Sequence, residues 1–447
     1  MQKAHENKNL ILAELNEINF EIVKKYCDAS GEFKNFSRLF ADGIMETTSE
    51  KSYEHLEPWI QWPSMHCGKS LSEHGIFRLG DIVGNDSAQI FETVEKLGYK
   101  VGVMGAMNAE NRLERPSFFI PDAWTDTTPD KSLFSQYFNQ LIRQTVNDNT
   151  SNKITLKSLI TLVMVFIFKI DHKHKFKILQ VIGKRKNRKW YKALVLDLLI
   201  SGVHKNLLKS RKTNFSTVFF NGFAHVQHHY FFMSPKIEVP QKFRDAVSTL
   251  DGIDPIYDCI EVYDFIIGEL QRTGYPVIFA TGLSQVPYIK LKYYYRLINH
   301  DKFLNLLNIK FREVLPRMTR DFLIRFDNNG ERDKCHETLQ SIKVTGNADL
   351  FTEFERRPNE LFVTMGYPKK IEENTYFYSE KGPDFFEQKL LLPYVKLVDL
   401  KNGMHCETGY VSFPQCINAN NAQKFGSITR IYDAIFNYFA TNNVKKL

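Results

Sequence analysis

Short runs of apolar residues, each about the length of one β-strand, alternate along this chain with segments of helical periodicity. The first run is residues 9–15 (NLILAEL), and a helix-like segment follows it at 20–41. This alternation is typical of an α/β fold in which a mostly parallel, twisted sheet is sandwiched between helices. The further predicted strands are 99–105, 216–220 and 276–280, and the further predicted helices are 89–97, 256–273 and 425–440.

Two segments interrupt the alternation. Residues 150–210 carry an apolar run and then a basic one, whereas residues 290–395 are aromatic-rich and of mixed pattern. We predict a helical insertion for the first and a small α+β subdomain for the second, both capping the cleft at the carboxyl ends of the strands. The predicted parts are 1–149, 211–289 and 396–447 for the α/β core, 150–210 for the insertion and 290–395 for the cap.

Composition excludes several classes of protein. The chain has 447 residues, 43% hydrophobic and 25% charged, which excludes a mainly disordered chain. A formal charge of +8 is small for a nucleic-acid-binding protein, and the run at 184–186 lacks interleaved aromatic residues, so no nucleic-acid partner is expected. The six cysteines form no CxxC pair, so neither a zinc ribbon nor a disulfide framework is indicated.

The basic part of the insertion bears on localisation. Its apolar run, Leu159–Phe168, is shorter than the roughly 18 to 20 residues that span a bilayer, and no signal peptide is apparent at the N-terminus. We therefore expect a cytoplasmic protein. Residues 169–192 have two interpretations: a basic lid that contacts an anionic membrane surface or an anionic substrate, or a helical insertion with a solvated charged face.

The most informative stretch of the chain is residues 57–76, which read EPWIQWPSMHCGKSLSEHGI. Its Trp62, Ser64 and Gly68, followed by Glu-His-Gly-Ile at 73–76, resemble the type I phosphodiesterase/nucleotide pyrophosphatase branch of the alkaline phosphatase superfamily. Further segments resemble that family in the family's own order: 98–103, 119–124, 225–228 and 403–409. The resemblance implies an alkaline-phosphatase-like sheet in which two metal ions about 4 Å apart bind a phosphoryl or sulfuryl group.

Several ligand positions of that family are altered. Asn16 matches its first Asp, Pro58 falls on its nucleophilic Thr or Ser, and Ala224 falls on a further Asp. Residues 280–283 (ATGL) replace its Ser-Asp-His-Gly motif. His228 and His405 alone remain at positions where the resemblance implies metal ligands, so an ordinary two-metal site is not expected.

Other polar residues in the same loops allow a rebuilt site. A single Zn²⁺ or Mn²⁺ would be held by His225 or His229, by His228 and by His405, with a carboxylate from Glu14, Glu17 or Glu57. Glu14 is the carboxylate that we place in the predicted ligand set.

The remaining candidates have catalytic or substrate-binding roles. Ser64 is a candidate replacement nucleophile, with helix capping or packing near Trp62 as its alternative role. Glu57 and His66 are further candidate catalytic residues. The candidate substrate-binding residues are Asn16, Gln61 and Gln285.

Two functions follow from these residues. The first is a hydrolase or transferase that acts on a phosphate or sulfate ester through a remodelled metal site, its substrate being an anionic small molecule or a lipid- or sugar-linked one. The second is an inactive member of the superfamily that acts as a binding or scaffold protein. An active metal site requires that the imidazoles of the HVQHH segment (225–229) and His405 lie within about 5 Å of each other.

Overall fold

The computed structural model describes residues 8–146, 155–245, 247, 252–317, 320–379, 386–417 and 424–441. The strands are β1 (Leu10–Leu15), β2 (Met45–Thr48), β3 (Val101–Met104), β4 (Phe118–Ile120), β5 (Phe215–Phe220), β6 (Val277–Ala280), β7 (Ser284–Pro287), β8 (Tyr293–Leu297), β9 (Glu313–Pro316), β10 (Asp321–Arg325), β11 (Ile342–Val344), β12 (Ala348–Asp349), β13 (Phe351–Arg357), β14 (Glu360–Met365), β15 (Tyr376–Ser379), β16 (Phe386–Leu390), β17 (Val395–Leu400), β18 (Gly403–Cys406), β19 (Thr408–Ser412) and β20 (Lys424–Ser427). The α-helices are α1 (Phe20–Ser30), α2 (Lys34–Asp42), α3 (Pro58–Cys67), α4 (Leu71–His74), α5 (Ile90–Lys96), α6 (Leu133–Val146), α7 (Leu156–Phe168), α8 (His172–Gly183), α9 (Tyr191–Arg211), α10 (Gly222–Tyr230), α11 (Gln241–Asp245), α12 (Pro255–Gln271), α13 (His300–Leu306), α14 (Asn329–Gln340) and α15 (Arg430–Ala440).

A sheet with the strand order β20-β2-β19-β6-β1-β5-β3-β4 forms the centre of the first compact unit, which comprises 1–287 and 403–447. The strands from β6 to β4 are mutually parallel, and β19 pairs antiparallel with both β6 and β2. Every residue of β1 and β5 is buried, as expected for central strands that helices cover on both faces. The predicted α/β class, with a mostly parallel sheet, is confirmed.

The helical prediction for 20–41 covers two helices instead of one. The first, α1, ends at Gly31, whose φ of 66° lies in the left-handed region that glycine adopts at little cost. Asn19 begins α1 because its side chain accepts hydrogen bonds from the backbone N–H groups of Glu21 and Ile22. The chain therefore leaves β1, turns through residues 16–19 and enters a firmly capped helix, which fixes the position of the turn.

The segment between β4 and β5 is helical where the structure describes it. Helices α6 to α9 follow one another there, and α9 leads directly towards β5. In α9 the buried side chains include Leu198, Val203 and Leu207. No helix in the described part of the chain is long and apolar enough to cross a membrane.

The second compact unit, 288–402, has an α+β composition of its own. Its strands form antiparallel sheets in the orders β13-β14-β10-β9, β12-β11-β15-β16 and β17-β8. An aromatic and aliphatic core that includes Phe303, Phe322 and Phe377 joins these sheets to α13 and α14. The high aromatic content of this segment is thus accounted for by its own core.

Candidate functional site

The turn after β1 places one carboxylate at the carboxyl edge of the sheet. Glu17 has a φ of 60°, in the left-handed region that non-glycine residues seldom adopt. Its backbone N–H donates to the carbonyl of Thr281 (2.9 Å), and its carbonyl accepts from Nε2 of Gln227 (2.7 Å). These two bonds from neighbouring segments hold the uncommon conformation, which directs the Glu17 side chain away from the strand.

Two carboxamides orient the buried carboxylate of Glu17. Asn16 donates from Nδ2 to Oε1 of Glu17 at 2.8 Å, and Gln285 donates from Nε2 to Oε2. Asn16 is itself fixed, because its Oδ1 accepts from the indole N–H of Trp62 at 2.8 Å. Asn16 and Gln285 are buried, so they serve as supports for Glu17 in this arrangement.

Two imidazoles meet the same carboxylate oxygen. Nε2 of His228 lies 2.9 Å from Oε2 of Glu17, and Nε2 of His405 lies 3.1 Å from it. The ring centroids of His228 and His405 are 5.2 Å apart. Glu17, His228 and His405, here called the Glu17 group, therefore converge from three segments that are distant in sequence.

His228 is positioned by the way α10 begins. Asp197 accepts hydrogen bonds from the backbone N–H of Gly222 (2.8 Å) and from the hydroxyl of Tyr263 (2.6 Å), and that hydroxyl accepts from the N–H of Phe223 (3.0 Å). A Cβ at Gly222 would lie 2.5 Å from Oδ2 of Asp197. Only glycine allows this close approach, so the start of α10 is tied to α9 and α12.

His405 is brought in by the pairing of β18 with β7, in which it lies opposite Gln285. A Cβ at Gly403 would lie 2.3 Å from Oε1 of Gln285, so the absence of a side chain there lets β18 approach the site. On its other side, Nδ1 of His405 lies 3.5 Å from Oε2 of Glu57, the residue that precedes α3. The Glu57 carboxylate beside the outer nitrogen orients the ring so that Nε2 faces Glu17.

The charges in this group suit a cation. Burial opposes ionisation of Glu17. His405 and His228 outweigh this effect through their positive charges and their hydrogen bonds to the carboxylate, and they hold the pKa of Glu17 well below the usual range. Burial also lowers the pKa of His228, although the Glu17 carboxylate opposes that shift. At neutral pH the group therefore offers an ionised carboxylate and a neutral imidazole, which are the protonation states that metal binding requires.

The donor geometry also fits a divalent metal. The three donor atoms of the Glu17 group all lie within 4.8 Å of one another. Donors at about 2.0–2.1 Å from a Zn²⁺-like ion are separated by about 2.9 Å in octahedral and about 3.3 Å in tetrahedral coordination. The two separations from Glu17 Oε2, 2.9 Å to His228 and 3.1 Å to His405, lie near that range, and the two imidazole nitrogens lie within 4.8 Å of each other.

The carboxylate of this group comes from Glu17 rather than from Glu14. Glu14 lies within β1, where its side chain is buried against α3. Its Oε1 accepts from Thr217 at 2.6 Å and lies 2.9 Å from Nε2 of His66. Because Glu14 precedes the end of the strand, it and His66 form a buried pair in the core, outside the Glu17 group.

Ser64 and Gln61 are engaged inside α3. Ser64 is 2% exposed, and its hydroxyl donates to the carbonyl of Ile60 at 3.0 Å. His74 accepts the Ile76 N–H on Nδ1, so its Nε2 carries the proton and donates to Ser64 at 2.9 Å. Burial lowers the pKa of His74 to about 4, which keeps this imidazole neutral.

Gln61 is likewise buried. Its Nε2 donates to the carbonyl of His55 at 2.9 Å. The geometry of α3 therefore gives Ser64 and Gln61 structural bonds, with neither side chain in the Glu17 group.

His225 and His229 lie one helical turn apart on α10 and pair with each other, their ring centroids 4.6 Å apart. Burial, with help from His229, lowers the pKa of His225 to about 3. Neither residue belongs to a three-member group of possible metal ligands among the described residues. His228 differs from them because its Nε2 meets Glu17, although its ring centroid lies 6.1 Å from that of His229.

Sequence reasoning missed Gln227 as a support of this site. Its Nε2 holds the carbonyl of Glu17, and its Oε1 accepts from the backbone N–H of Asn19 at 3.2 Å. The only sequence signal is its place in HVQHH, directly before His228.

A second set of donor atoms, here called the Asp171 cluster, consists of Asp171, His174 and Glu269. Nζ of Lys205 contacts Oδ2 of Asp171 at 2.8 Å and also contacts Glu269. Arg272 adds a further contact to Glu269 at 2.7 Å. Since ammonium and guanidinium groups already neutralise these carboxylates, this cluster is an ion-pair network.

The chain is similar to three kinds of solved structure over nearly its whole length. A phosphonoacetate hydrolase from Sinorhizobium meliloti is 12% identical, with a TM-score of 0.42, over 97% of this chain and 95% of that one. Murine ectonucleotide pyrophosphatase/phosphodiesterase 5 is 10% identical, with a TM-score of 0.39, over 98% and 96%. An alkaline phosphatase from the Antarctic bacterium TAB5 is 10% identical, with a TM-score of 0.38, over 96% and 98%.

No protein-family model matches the chain, and no curated protein does. With TM-scores of 0.42 and below, the structural matches do not bear on the chemistry of this chain, which has to be argued from its own side chains.

Proposed function

We propose that this chain is a hydrolase or transferase of phosphate or sulfate esters that uses one divalent metal ion held by Glu17, His228 and His405. The observation that carries the proposal is the convergence of their three donor atoms within 4.8 Å. Two imidazoles and one carboxylate suit Zn²⁺ or Mn²⁺ and leave coordination positions for substrate. A cation held there would supply positive charge that polarises the ester and increases the acidity of water.

The chain's own residues would position this site. Asn16 and Gln285 keep the Glu17 carboxylate oriented before any ligand arrives, which reduces the reorganisation that binding requires. Glu57 acts as a positioning residue, because its carboxylate lies beside Nδ1 of His405 and leaves Nε2 to face the group.

Water, rather than a side chain, would attack the ester. Pro58 stands where the resemblance places a nucleophile and has no nucleophilic atom, and the hydroxyl of Ser64 is buried and engaged. The side chain of His228 is 34% exposed, so solvent can reach the Glu17 group past this residue.

The proposed substrate is an anionic ester with an apolar or sugar part. The net charge of the whole chain, +8, favours an anionic ligand.

A binding protein without catalysis is a second candidate, favoured by a specific observation. Both carboxylate oxygens of Glu17 already accept hydrogen bonds from protein amides, Asn16 on Oε1 and Gln285 on Oε2. A carboxylate whose two oxygens are bonded in this way is stable without a metal, as a scaffold would require.

Elemental analysis of the purified protein tests the proposal. We expect near-stoichiometric Zn or Mn in the wild type, and its loss in the double variant His228→Ala/His405→Ala. The matched control is His225→Ala/His229→Ala, which removes two imidazoles from α10 outside the Glu17 group and should keep the metal. Metal-dependent hydrolysis of nitrophenyl phosphate, bis-nitrophenyl phosphate or nitrophenyl sulfate would then identify the ester class.

Two results would contradict the proposal. No metal in the wild type after reconstitution with Zn²⁺ and Mn²⁺ would favour the binding protein. Equal metal loss in both double variants would place the metal elsewhere.

A further inference from the structure

Helix α7 presents its most apolar face outward. Its large exposed side chains recur with the spacing i, i+3, i+4, i+7, which is one continuous stripe along a helix. They are Leu156, Leu159, Ile160, Val163, Met164, Ile167 and Phe168, with exposures from 48% to 73%. Here this stripe is called the α7 stripe.

The inward face of the same helix is the less apolar one. Its buried residues are Ser158, Thr161 and Val165. Thr161 donates to the carbonyl of Lys157 (2.9 Å), and Thr155 caps the helix by accepting from the N–H of Ser158. A surface helix of a globular protein normally buries its apolar stripe, so α7 has the reverse of the usual arrangement. Exposed apolar surface of this size marks an interaction site.

A groove runs along this helix against α6. It has a volume of about 710 Å³, and its lining includes Phe134, Tyr137, Met164 and Phe168. Lys157 lies over the ring of Tyr137, 4.1 Å from its centroid. The groove is therefore apolar inside and carries a cation at its edge.

Basic residues follow the α7 stripe in the next helix and loop. Residues 155–192 contain eleven Lys and Arg and one Asp, a net charge of +10, whereas the whole chain carries +8. Lys173, Arg185, Lys186 and Lys189 are exposed. In α8, Phe176 (64% exposed) and Leu179 (58% exposed) add further apolar surface.

We propose that α7 and α8 dock on the surface of an anionic lipid bilayer, with the α7 stripe inserted among the acyl chains and the basic residues against the headgroups. This inference is independent of the proposed function. The 13 residues of α7 are about 20 Å long, too short to cross the hydrocarbon core, so the helix lies in the plane of the interface.

The charge of this segment favours an anionic bilayer over a second copy of the chain as the partner of this surface. Two copies that met through this face would bring together the exposed basic residues of both, including Lys173, Lys186 and Lys189, and these charges repel. Anionic headgroups complement the same charge, and each lysine near such a surface strengthens binding about fivefold. The prediction that residues 169–192 contact a membrane thus extends to the preceding helix.

Vesicle co-sedimentation tests the proposal. The wild type should bind vesicles of phosphatidylcholine with about one-third phosphatidylglycerol, and should bind phosphatidylcholine alone at least about tenfold more weakly. The variant Met164→Glu/Phe168→Glu should lose at least about 100-fold in affinity, because two inserted side chains become charged. The matched control is Val83→Glu, at an exposed apolar residue outside the segment, which should bind like the wild type.

A second variant tests the electrostatic part without touching α7. Lys186→Glu/Lys189→Glu should weaken binding to the anionic vesicles at least about 20-fold, and added salt should weaken wild-type binding in the same direction. Both residues are exposed, so unfolding midpoints should match the wild type.

Three results would overturn the proposal. One is equal binding to anionic and neutral vesicles. Another is unchanged binding by both double variants. The third is a wild-type dimer in sedimentation velocity that Met164→Glu/Phe168→Glu dissolves, with no vesicle binding, since a second copy would then occupy the face.

Discussion

The Glu17 group and the Asp171 cluster each bring three His and carboxylate donor atoms within 4.8 Å of one another. In the Asp171 cluster an ammonium group, that of Lys205, already lies against two carboxylates. In the Glu17 group the described partners of the carboxylate are carboxamides and imidazoles. The difference teaches that close donors alone do not make a metal site: what matters is whether the protein supplies its own cation.

The largest expected effect is a difference in zinc affinity between substitution of Glu17 and substitution of Glu269. Glu17→Gln keeps the size of the side chain but removes a charged ligand, so Zn²⁺ affinity should fall at least about 1000-fold, more than the roughly 10–100-fold typical of outer-shell changes. Glu269→Gln should leave the affinity unchanged. Competition with a chromophoric zinc chelator measures both, and equal losses would erase the distinction between the two sites.

Removal of the Lys205 ammonium should turn the Asp171 cluster into a zinc-binding site. In a Glu17→Gln background, Lys205→Ala removes the ammonium that bridges Asp171 and Glu269 and leaves Arg272 on Glu269, so we expect a loss of about 2 kcal/mol in the free energy of unfolding. Zinc at about 100 times its Kd should restore about 2.7 kcal/mol by binding there. Urea unfolding with and without Zn²⁺ measures the change.

The matched control for this gain is Lys209→Ala, an exposed lysine of the same helix, which should show neither effect. If Lys205→Ala gains no response to zinc, the three donors of the cluster do not have ligand geometry, and Lys205 is not what excludes a metal.

Substitution of Glu57 should lower the metal affinity of the Glu17 group by an intermediate amount. Glu57→Gln replaces the carboxylate beside Nδ1 of His405 by an amide, so the orientation of that ring becomes weaker. Metal affinity should fall about 10–100-fold. Glu54→Gln, at an exposed carboxylate of the same loop, is the control. An unchanged affinity would remove Glu57 from the site.

The smallest expected effect is a dependence on pH. Burial opposes ionisation of Asp171 and Glu269, but a hydrogen bond from Lys205 to each helps to hold its pKa below the usual value. His174 acts in the same direction on Asp171, and Arg272 does so on Glu269. A lowered folded-state pKa stabilises the protein above the unfolded pKa, and this stability is lost as the pH falls through the folded pKa.

Between pH 6 and 3.5, the free energy of unfolding of the metal-free wild type should therefore fall by about 1 kcal/mol more than that of Lys205→Ala. The difference is modest because Asp171 and Lys205 are partly exposed. Urea unfolding at the two pH values checks the difference. A larger loss in Lys205→Ala would have the wrong sign and would contradict the ion-pair account.

Much of the fold could be predicted from the sequence, because central parallel strands are short, wholly apolar runs. The strand at 9–15 and the helix at 256–273 appear within about two residues of their predicted bounds. The helical prediction for 20–41 did not include the break at Gly31, since apolar spacing continues on both sides of it. The left-handed cap that ends α1 is set by backbone conformation, which periodicity does not encode.

Part of the candidate site was within reach of sequence reasoning. His228 and His405 were placed at ligand positions by motif order, and the structure brings them together. The choice between Glu14 and Glu17 depends on where β1 ends and on which way its last side chains point. That choice follows from the φ of Glu17, held by Thr281 and Gln227, which are more than 200 residues away in sequence.

The left-handed backbone at Glu17 sets the stability of the fold against the metal binding that we propose. Glycine at position 17 would adopt the same φ at no steric cost, and an Asn there would adopt it more readily than Glu does. Either change relieves about 1 kcal/mol of strain and deletes the carboxylate on which the site is centred. Selection for stability alone would therefore favour replacement of Glu17 by Gly or Asn. An acidic residue retained at this position in related sequences would indicate selection for the proposed metal site.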